Sequence, residues 1–427
     1  MKLITAASLF AVTCINSARE REPAVAHIGT IVPGITVLLE DSIGVVRGKR
    51  IGLLTNQTGV DRSGRSDIEL LTSGAAASKA GVHVVALFSP EHGLRGTEDR
   101  QHIASGRDAA TGLPVYSLYD ETTEAPPDSV LHGMDAVVID LQDVGARTWT
   151  YVAAAVYTMR AAARARVTVV VLDRPNPLTG IHIQGPVLDS ALANPNEATA
   201  DHAARPYALA AIPLRHGLTM GELALFYNDV LGIHADLHVI PVRGWRRVLW
   251  YDQTGLPWVR PSPNLPTLES ALLYPALVAF ESSNLSVGRG TEFPFRQLGA
   301  PWLDAHKVVE LLRDHPPGGV RFLETKFTPV QPSDSKYAGQ RVNGVRIQVS
   351  DRDGTQVGRV TADLLWAIAK VHPDSLHLDT LGFDLRFGSA DARRSLLRGD
   401  DPDGVIDRQY PAAVSFERQT RPYTLYR

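Results

Sequence analysis

The stretch VVALFSPEHGLRG, Val84–Gly96, carries an apolar, β-branched run straight into a proline and a charged turn. A short apolar run bounded by turn signals reads as a buried parallel strand. The same design returns in DAVVIDLQDVGARTWTY, Asp135–Tyr151. In open α/β sheets, ligands sit outside the carboxyl ends of the strands. Chain order therefore places Glu91, His92, Asp140, Asp143 and Arg147 where chemistry is expected.

Outward from these two runs, further strands are expected at Arg50–Thr55, Val167–Asp173 and Leu237–Val242, beside His83–Phe88 and Asp135–Asp140. Helical spacing fills the intervals at Ser66–Ala80, Trp149–Ala165 and Thr219–Leu231. The last opens on a capping box, Thr219 with Glu222 three residues on. Strands alternating with helices predict an α/β, Rossmann-like, doubly wound parallel sheet over residues 23–259. After Trp258 the proline-rich VRPSPNLPTLES (Val259–Ser270) reads as a strap. Beyond it, a helix near Leu303–Arg313, a strand at Val345–Val349 and a helix at Val360–His372 predict a second, smaller α+β domain over 260–427 that contributes to the cleft.

Composition narrows the class. A chain of 427 residues, 44% hydrophobic and 21% charged, has room for two or three domains. A net charge of −3 argues against a nucleic-acid partner, even with the basic RGWRR at Arg243–Arg247. Met1–Ala18 has the build of an export signal, Lys2 and then an apolar run from Leu3 to Val12, too short to span a membrane. The segment 1–22 is taken as a signal peptide, and no stable membrane insertion is expected. The sole cysteine, Cys14, lies within it; a lipoprotein is the alternative, although Thr13 before the cysteine is larger than such signals favour. Disulfides and cysteine-based metal sites are excluded from the mature chain, which suits a periplasm or cell surface.

The cofactor motifs are missing. The first βα turn, TNQTGVDRSG (Thr55–Gly64), lacks the G-x-G-x-x-G fingerprint, and no phosphate loop or zinc helix occurs. No G-x-S-x-G elbow is present either: Asn284–Gly288 lacks its first glycine. Neither cofactor nor metal is expected. Glu91, between Pro90 and His92-Gly93, then stands out as a strand-end carboxyl suited to general acid catalysis; a solvated turn glutamate is the alternative. Asp140 or Asp143 would supply the second carboxylate of a glycosidase, or else pair with Arg147 to orient the loop. LDRPNPLTG (Leu172–Gly180) offers Arg174 and Asn176 as binding groups or as a purely structural turn. His216 precedes a helix start, facing substrate or packed. SSNLSVGRGTEFPF (Ser282–Phe295) gathers Asn284, Ser286, Arg289 and Thr291 around two glycines, as a ligand loop or an interface. Trp245, Trp250 and Trp258 offer a sugar-stacking face or core.

NQTGVD (Asn56–Asp61), LFSPEHGLRG, DLQDVGART, LDRPNPLTG, LRHGLTMGELA, PSPNLPTL and SNLSVGRGT together resemble the hallmark segments of the exo-acting β-N-acetylmuramidases of the NamZ type. The likeness runs in order from about Pro33 to the terminal TRPYTLYR. It implies a Rossmann-like domain with an auxiliary C-terminal domain, no nucleotide, release of N-acetylmuramic acid from non-reducing ends of peptidoglycan fragments, and a possible homodimer. It carries the catalytic acid/base onto Glu91. The remaining assignments rest on the residues' own chemistry. Asp140, Asp143 and His92 complete the catalytic set. Asn56, Gln57, Arg147, Arg174, Asn176 and His216 bind the substrate, joined by Asn264, Asn284, Ser286, Arg289 and Thr291. Retaining, inverting and substrate-assisted routes all stay open, because the first two differ by the carboxylate separation, about 5–5.5 Å against about 6.5–9.5 Å. The rival function is a non-catalytic muropeptide-binding protein using the same cleft.

Overall fold

The computed structural model describes residues 29–100, 102–119, 124–198, 205–315 and 318–427; the expected signal segment lies outside them. Helix α1 (Gly34–Asp41) leads into strand β1 (Arg50–Thr55), helices α2 (Asp67–Thr72) and α3 (Ala75–Ala80), and strand β2 (His83–Ser89). The single helix expected over Ser66–Ala80 is two: the backbone turns extended at Gly74 (φ −65°, ψ 139°), where only a residue without a Cβ clears the Leu70 carbonyl. Short strands β3 (Gly106–Arg107) and β4 (Pro114–Ser117) follow, then α4 (Asp128–Leu131), β5 (Ala136–Asp140), α5 (Tyr151–Ala165) and β6 (Thr168–Leu172). A β7 (Gln184–Val187) and β8 (Pro213–Arg215) hairpin, helix α6 (Met220–Val230) and β9 (Leu237–Ile240) complete this half. The Thr219–Glu222 capping box forms as expected.

The main sheet has seven strands in the order β3-β4-β2-β1-β5-β6-β9, all parallel except β3. The chain winds outward from β1 through β2 to β4, then returns to build β5, β6 and β9 on the other side. This is the doubly wound arrangement, with its switch point between β1 and β5. Strand alternation divides the side chains. Ile51, Leu53, Ala136, Val138, Val170 and Leu172 pack under α1, α2 and α3. Leu54, Val137, Ile139, Val169 and Val171 pack under α5 and α6. That second core continues without a break into the C-terminal half.

There, helix α7 (Leu268–Leu277) precedes an antiparallel three-stranded sheet of β10 (Gln297–Ala300), β12 (Val342–Val349) and β11 (Val320–Phe327), covered by α8 (Ala305–Arg313) and α9 (Val357–Val371). Helices α10 (Thr380–Phe387), α11 (Ala390–Leu397), α12 (Pro402–Asp407) and α13 (Tyr410–Thr420) finish the chain. Among the described residues no helix is long and apolar enough to cross a membrane.

Candidate active site

Strand β2 ends at Ser89, and Pro90 accepts the Gly93 N–H at 3.1 Å to close a tight turn. His92 and Gly93 both lie in the left-handed region, at φ 70° and 73°. Glycine does so freely; histidine is held there by its ring, whose Nδ1 lies 2.7 Å from the Glu98 carbonyl. A carbonyl only accepts, so the His92 Nδ1–H is the donor. The turn presents Glu91, half-buried, to two hydroxyls. Thr150 Oγ1 donates to Glu91 Oε2 at 2.5 Å, and the Tyr119 hydroxyl donates to the same carboxyl. Burial and the Glu91 charge push the Tyr119 phenol up, which keeps it a donor. Thr150 is free for this contact because α5 begins one residue later and its N-cap makes no side-chain bond.

Glu91 opens onto a cavity of about 140 Å³. Its lining includes His92, Tyr119 and Thr148–Thr150 together with Tyr274, Glu281, Arg289, Phe295, Arg386 and Tyr207. Trp149, Tyr274 and Phe295 meet edge to face, with centroids 5.6 and 4.9 Å apart, and make a rigid floor. Glu281 is the second carboxyl on the wall. Arg289 donates to it at 2.7 Å, and Arg386 Nε lies 4.0 Å away. Glu281 and Asp99, the latter 3.7 Å from Arg289, hold that guanidinium firmly protonated. Past Tyr207, Glu281 and Arg386 the cavity meets an open groove of about 730 Å³ running along Asn284, His377 and Asp379.

Of the residues expected from sequence, Glu91, His92 and Arg289 line this cavity together. Asp140 and Asp143 do not. Asp140 is fully buried and takes Arg174 Nε at 2.5 Å and Nη2 at 2.9 Å. Burial lifts the Asp140 carboxyl while Arg174 pulls it down; the two-point contact and the raised Arg174 keep the pair ionised. Asp143 accepts the Gly145 N–H at 2.6 Å and faces buried His216 at 3.4 Å, so the expected Asp143–Arg147 pair is absent. His216 Nδ1 accepts from Leu218, and its ring is wholly inside.

The polar loop residues bond mostly to neighbouring backbone. Asn56 accepts from the Thr58 N–H and hydroxyl, and Gln57 donates to the Arg260 carbonyl at 2.8 Å. Asn176 bridges Leu178 and Leu218. Ser286 and Thr291 tie the glycine loop to itself through Gly288. Asn284 binds backbone at Ser375 and His377, on the groove rather than the cavity. Asn264 donates to Asp99 at 2.7 Å, one layer behind Arg289. None of the three tryptophans proposed for stacking lines the cavity: Trp245 meets Tyr426, Trp250 lies between Arg215 and Arg352, and Trp258 meets Tyr251. Sequence reasoning missed Tyr119, Thr150, Tyr207, Tyr274, Glu281 and Arg386. It also missed Glu124, pushed up to about 7 by burial and by the Glu197 and Glu91 charges.

The crevice at the switch point is filled by the protein itself. Thr58 Oγ1 accepts the Gln142 N–H at 3.1 Å, Arg174 reaches the Val60 carbonyl, and Thr55 Oγ1 meets Asp67 at 2.5 Å. Burial and the Asp140 charge push the Asp67 carboxyl well above its usual range. Among the described residues no cluster of three or more His, Cys, Asp or Glu side chains could hold a metal ion.

Two family models match consecutive parts of the chain: "Exo-beta-N-acetylmuramidase NamZ, N-terminal" over residues 51–269 and its C-terminal counterpart over 272–426. The chain belongs to the NamZ exo-β-N-acetylmuramidase family. As a NamZ-family protein it is a glycoside hydrolase. It is 35% identical over 417 residues to the peptidoglycan β-N-acetylmuramidase NamZ of Bacillus subtilis (strain 168), covering 97% of this chain and 96% of that protein. The NamZ-family fold is similar to crystal structures of two DUF1343 family proteins from Bacteroides fragilis NCTC 9343. One superposes with TM-score 0.82 at 33% identity, the other with 0.72 at 28%, each covering 93% of this chain and 99% of its own.

Proposed function

We propose that this chain releases N-acetylmuramic acid from the non-reducing ends of peptidoglycan fragments, with Glu91 as the acid/base group. The observation that carries the reading is the Glu91 carboxyl, oriented by Thr150 and Tyr119 and facing a small cavity. Protonating a leaving alkoxide needs a carboxyl fixed in direction beside the glycosidic oxygen. The cavity beside Glu91 is small and leads past Tyr207, Glu281 and Arg386 into an open groove, an arrangement that supports action at a chain end. Glu281, which lines the same cavity, takes the supporting part first given to Asp140 or Asp143, stabilising positive charge at the anomeric carbon or activating water. Arg289 and Arg386 face the same space, where a lactyl carboxylate would find forked donors. The relative from Bacillus subtilis, a peptidoglycan β-N-acetylmuramidase, supports the same substrate, and the apolar segment Leu3–Val12 supports export to the periplasm or cell surface.

The test is turnover of a chromogenic β-glycoside of N-acetylmuramic acid. Wild type should release the chromophore, and Glu91→Gln should lower kcat by about 10²–10⁴-fold with an unchanged melting curve. A folded Glu91→Gln protein with the wild-type rate would remove Glu91 from the reaction. Binding without product in wild type would leave only a receptor.

A further inference from the structure

Arg147 leaves the loop after β5 with its side chain buried, 5% exposed. Among the described residues no carboxylate forms an ion pair with it. Its donors go to three backbone carbonyls instead: Nη1 to Tyr207 at 2.9 Å and to Leu385 at 2.7 Å, and Nη2 to Arg386 at 2.8 Å. Leu385 and Arg386 lie in the last turn of α10, whose carbonyls have no N–H donor within the helix. The helix then stops at Gly388, in the left-handed region at φ 112°. The partial negative charge of a helix C-terminus is what a buried cation without a counter-ion requires. Burial pulls the Arg147 guanidinium down only to about 10, so it stays charged at neutral pH.

The two segments it joins carry the cavity's boundary. The Arg386 guanidinium lies over the Tyr207 ring, 4.7 Å from its centroid, and this stacked pair borders both the closed cavity and the open groove. Arg386 is anchored further by Ser282 Oγ at 2.9 Å. From these contacts we propose that Arg147 is a positioning residue, which sets the width of the sugar cavity by pinning the backbones of Tyr207 and Arg386 from behind. It touches no substrate itself. A planar fork can reach three carbonyls in two segments at once, which the point charge of lysine cannot do equally well. The proposal rests on reading this cavity as the sugar site.

Steady-state kinetics on the chromogenic substrate would compare wild type, Arg147→Lys, Arg147→Gln, Arg386→Ala and the Arg147→Gln/Arg386→Ala double variant. Arg147→Gln should raise KM about tenfold with kcat within about twofold, because the loosened wall contacts bound sugar rather than reacting atoms. Arg147→Lys should fall between it and wild type. In the Arg386→Ala background the Arg147 effect on KM should shrink below about twofold, since residues acting through one another are not additive. Unchanged KM in Arg147→Gln, or a full effect that persists without Arg386, would overturn the proposal and leave Arg147 a scaffold residue. If Arg147→Gln does not fold, Arg147→Lys carries the same comparison. Absence of turnover by wild type defeats the functional reading separately, and the calorimetric Kd for N-acetylmuramic acid then replaces KM across the same set.

Discussion

Two crevices sit at the carboxyl edge of one sheet, a single strand apart, and they have opposite fates. Between β1 and β5 the crevice is closed by its own charges, Asp140 against Arg174 at 2.5 Å and Asp67 against Thr55. Beyond β2 the Glu91 carboxyl accepts from the Thr150 and Tyr119 hydroxyls, stays half-buried and borders a cavity. The difference lies in partners rather than position. A strand-end acid that finds a guanidinium from the next strand becomes core, because an ionised carboxylate is tolerated inside only when paired. One that finds neutral donors remains available to a ligand. The sheet offers several such edges, and side-chain pairing chooses among them.

That contrast can be broken most forcefully from the closed side. Arg174→Met leaves Asp140 and Asp67 buried without their cation and should cost about 3–5 kcal/mol in denaturant unfolding. KM of the folded protein should hardly move; a large KM change would make the crevice part of the substrate site. Asp173, also fully buried at the end of β6, gives a smaller effect with a defined pH signature. Burial raises its carboxyl to about 6, partly offset by bonds from Tyr426, Gly221 and Thr219. The folded state therefore favours the proton more than an unfolded chain does. Its contribution is greatest below about pH 4, declines as pH climbs to about 6 and is flat above, a span of about 1–3 kcal/mol. Asp173→Asn should lack that decline, so the wild-type advantage over the variant should shrink across stability curves recorded from pH 4 to 7.5; an unaltered slope in the variant would contradict the assignment.

On the open side, Thr150→Val deletes one donor to Glu91 and should reduce kcat about tenfold with little loss of stability, the reverse of Arg174→Met. Equal losses of stability and activity would erase the distinction between the two crevices. The mildest change is Asn264→Ala, which frees Asp99 behind Arg289 and should raise KM about threefold at constant kcat. A fall in kcat instead would bring Asp99 into the chemistry.

The sheet was legible because each central strand is a short apolar run ending at a polar or charged residue, and alternation sorted both faces. The short edge strands β3 and β4 were not, since PVYS at Pro114–Ser117 is brief and opens on proline. Strand β11, RFLETKF after Val320, escaped because most of its side chains are only partly covered and polar. Within the site, Glu91 was legible from its turn. The fates of Asp140 and Asp143 were not, because they depend on Arg174 and His216, brought in by later strands and loops. Arg386 and Tyr207 carry no local motif; only the docking of α10 and the Arg147 fork place them on the wall. Thr150 was within reach of sequence, as a hydroxyl just ahead of a helix that begins in the β5 loop.

The central claim is that ligand enters beside Glu91 and not at the switch point. A crystal structure with N-acetylmuramic acid bound tests this most directly. The account predicts the sugar between Glu91, Glu281 and Arg289, with the Asp140–Arg174 pair undisturbed. Sugar density against Thr58, Gln142 and Arg174, with the Glu91 cavity empty, would contradict it.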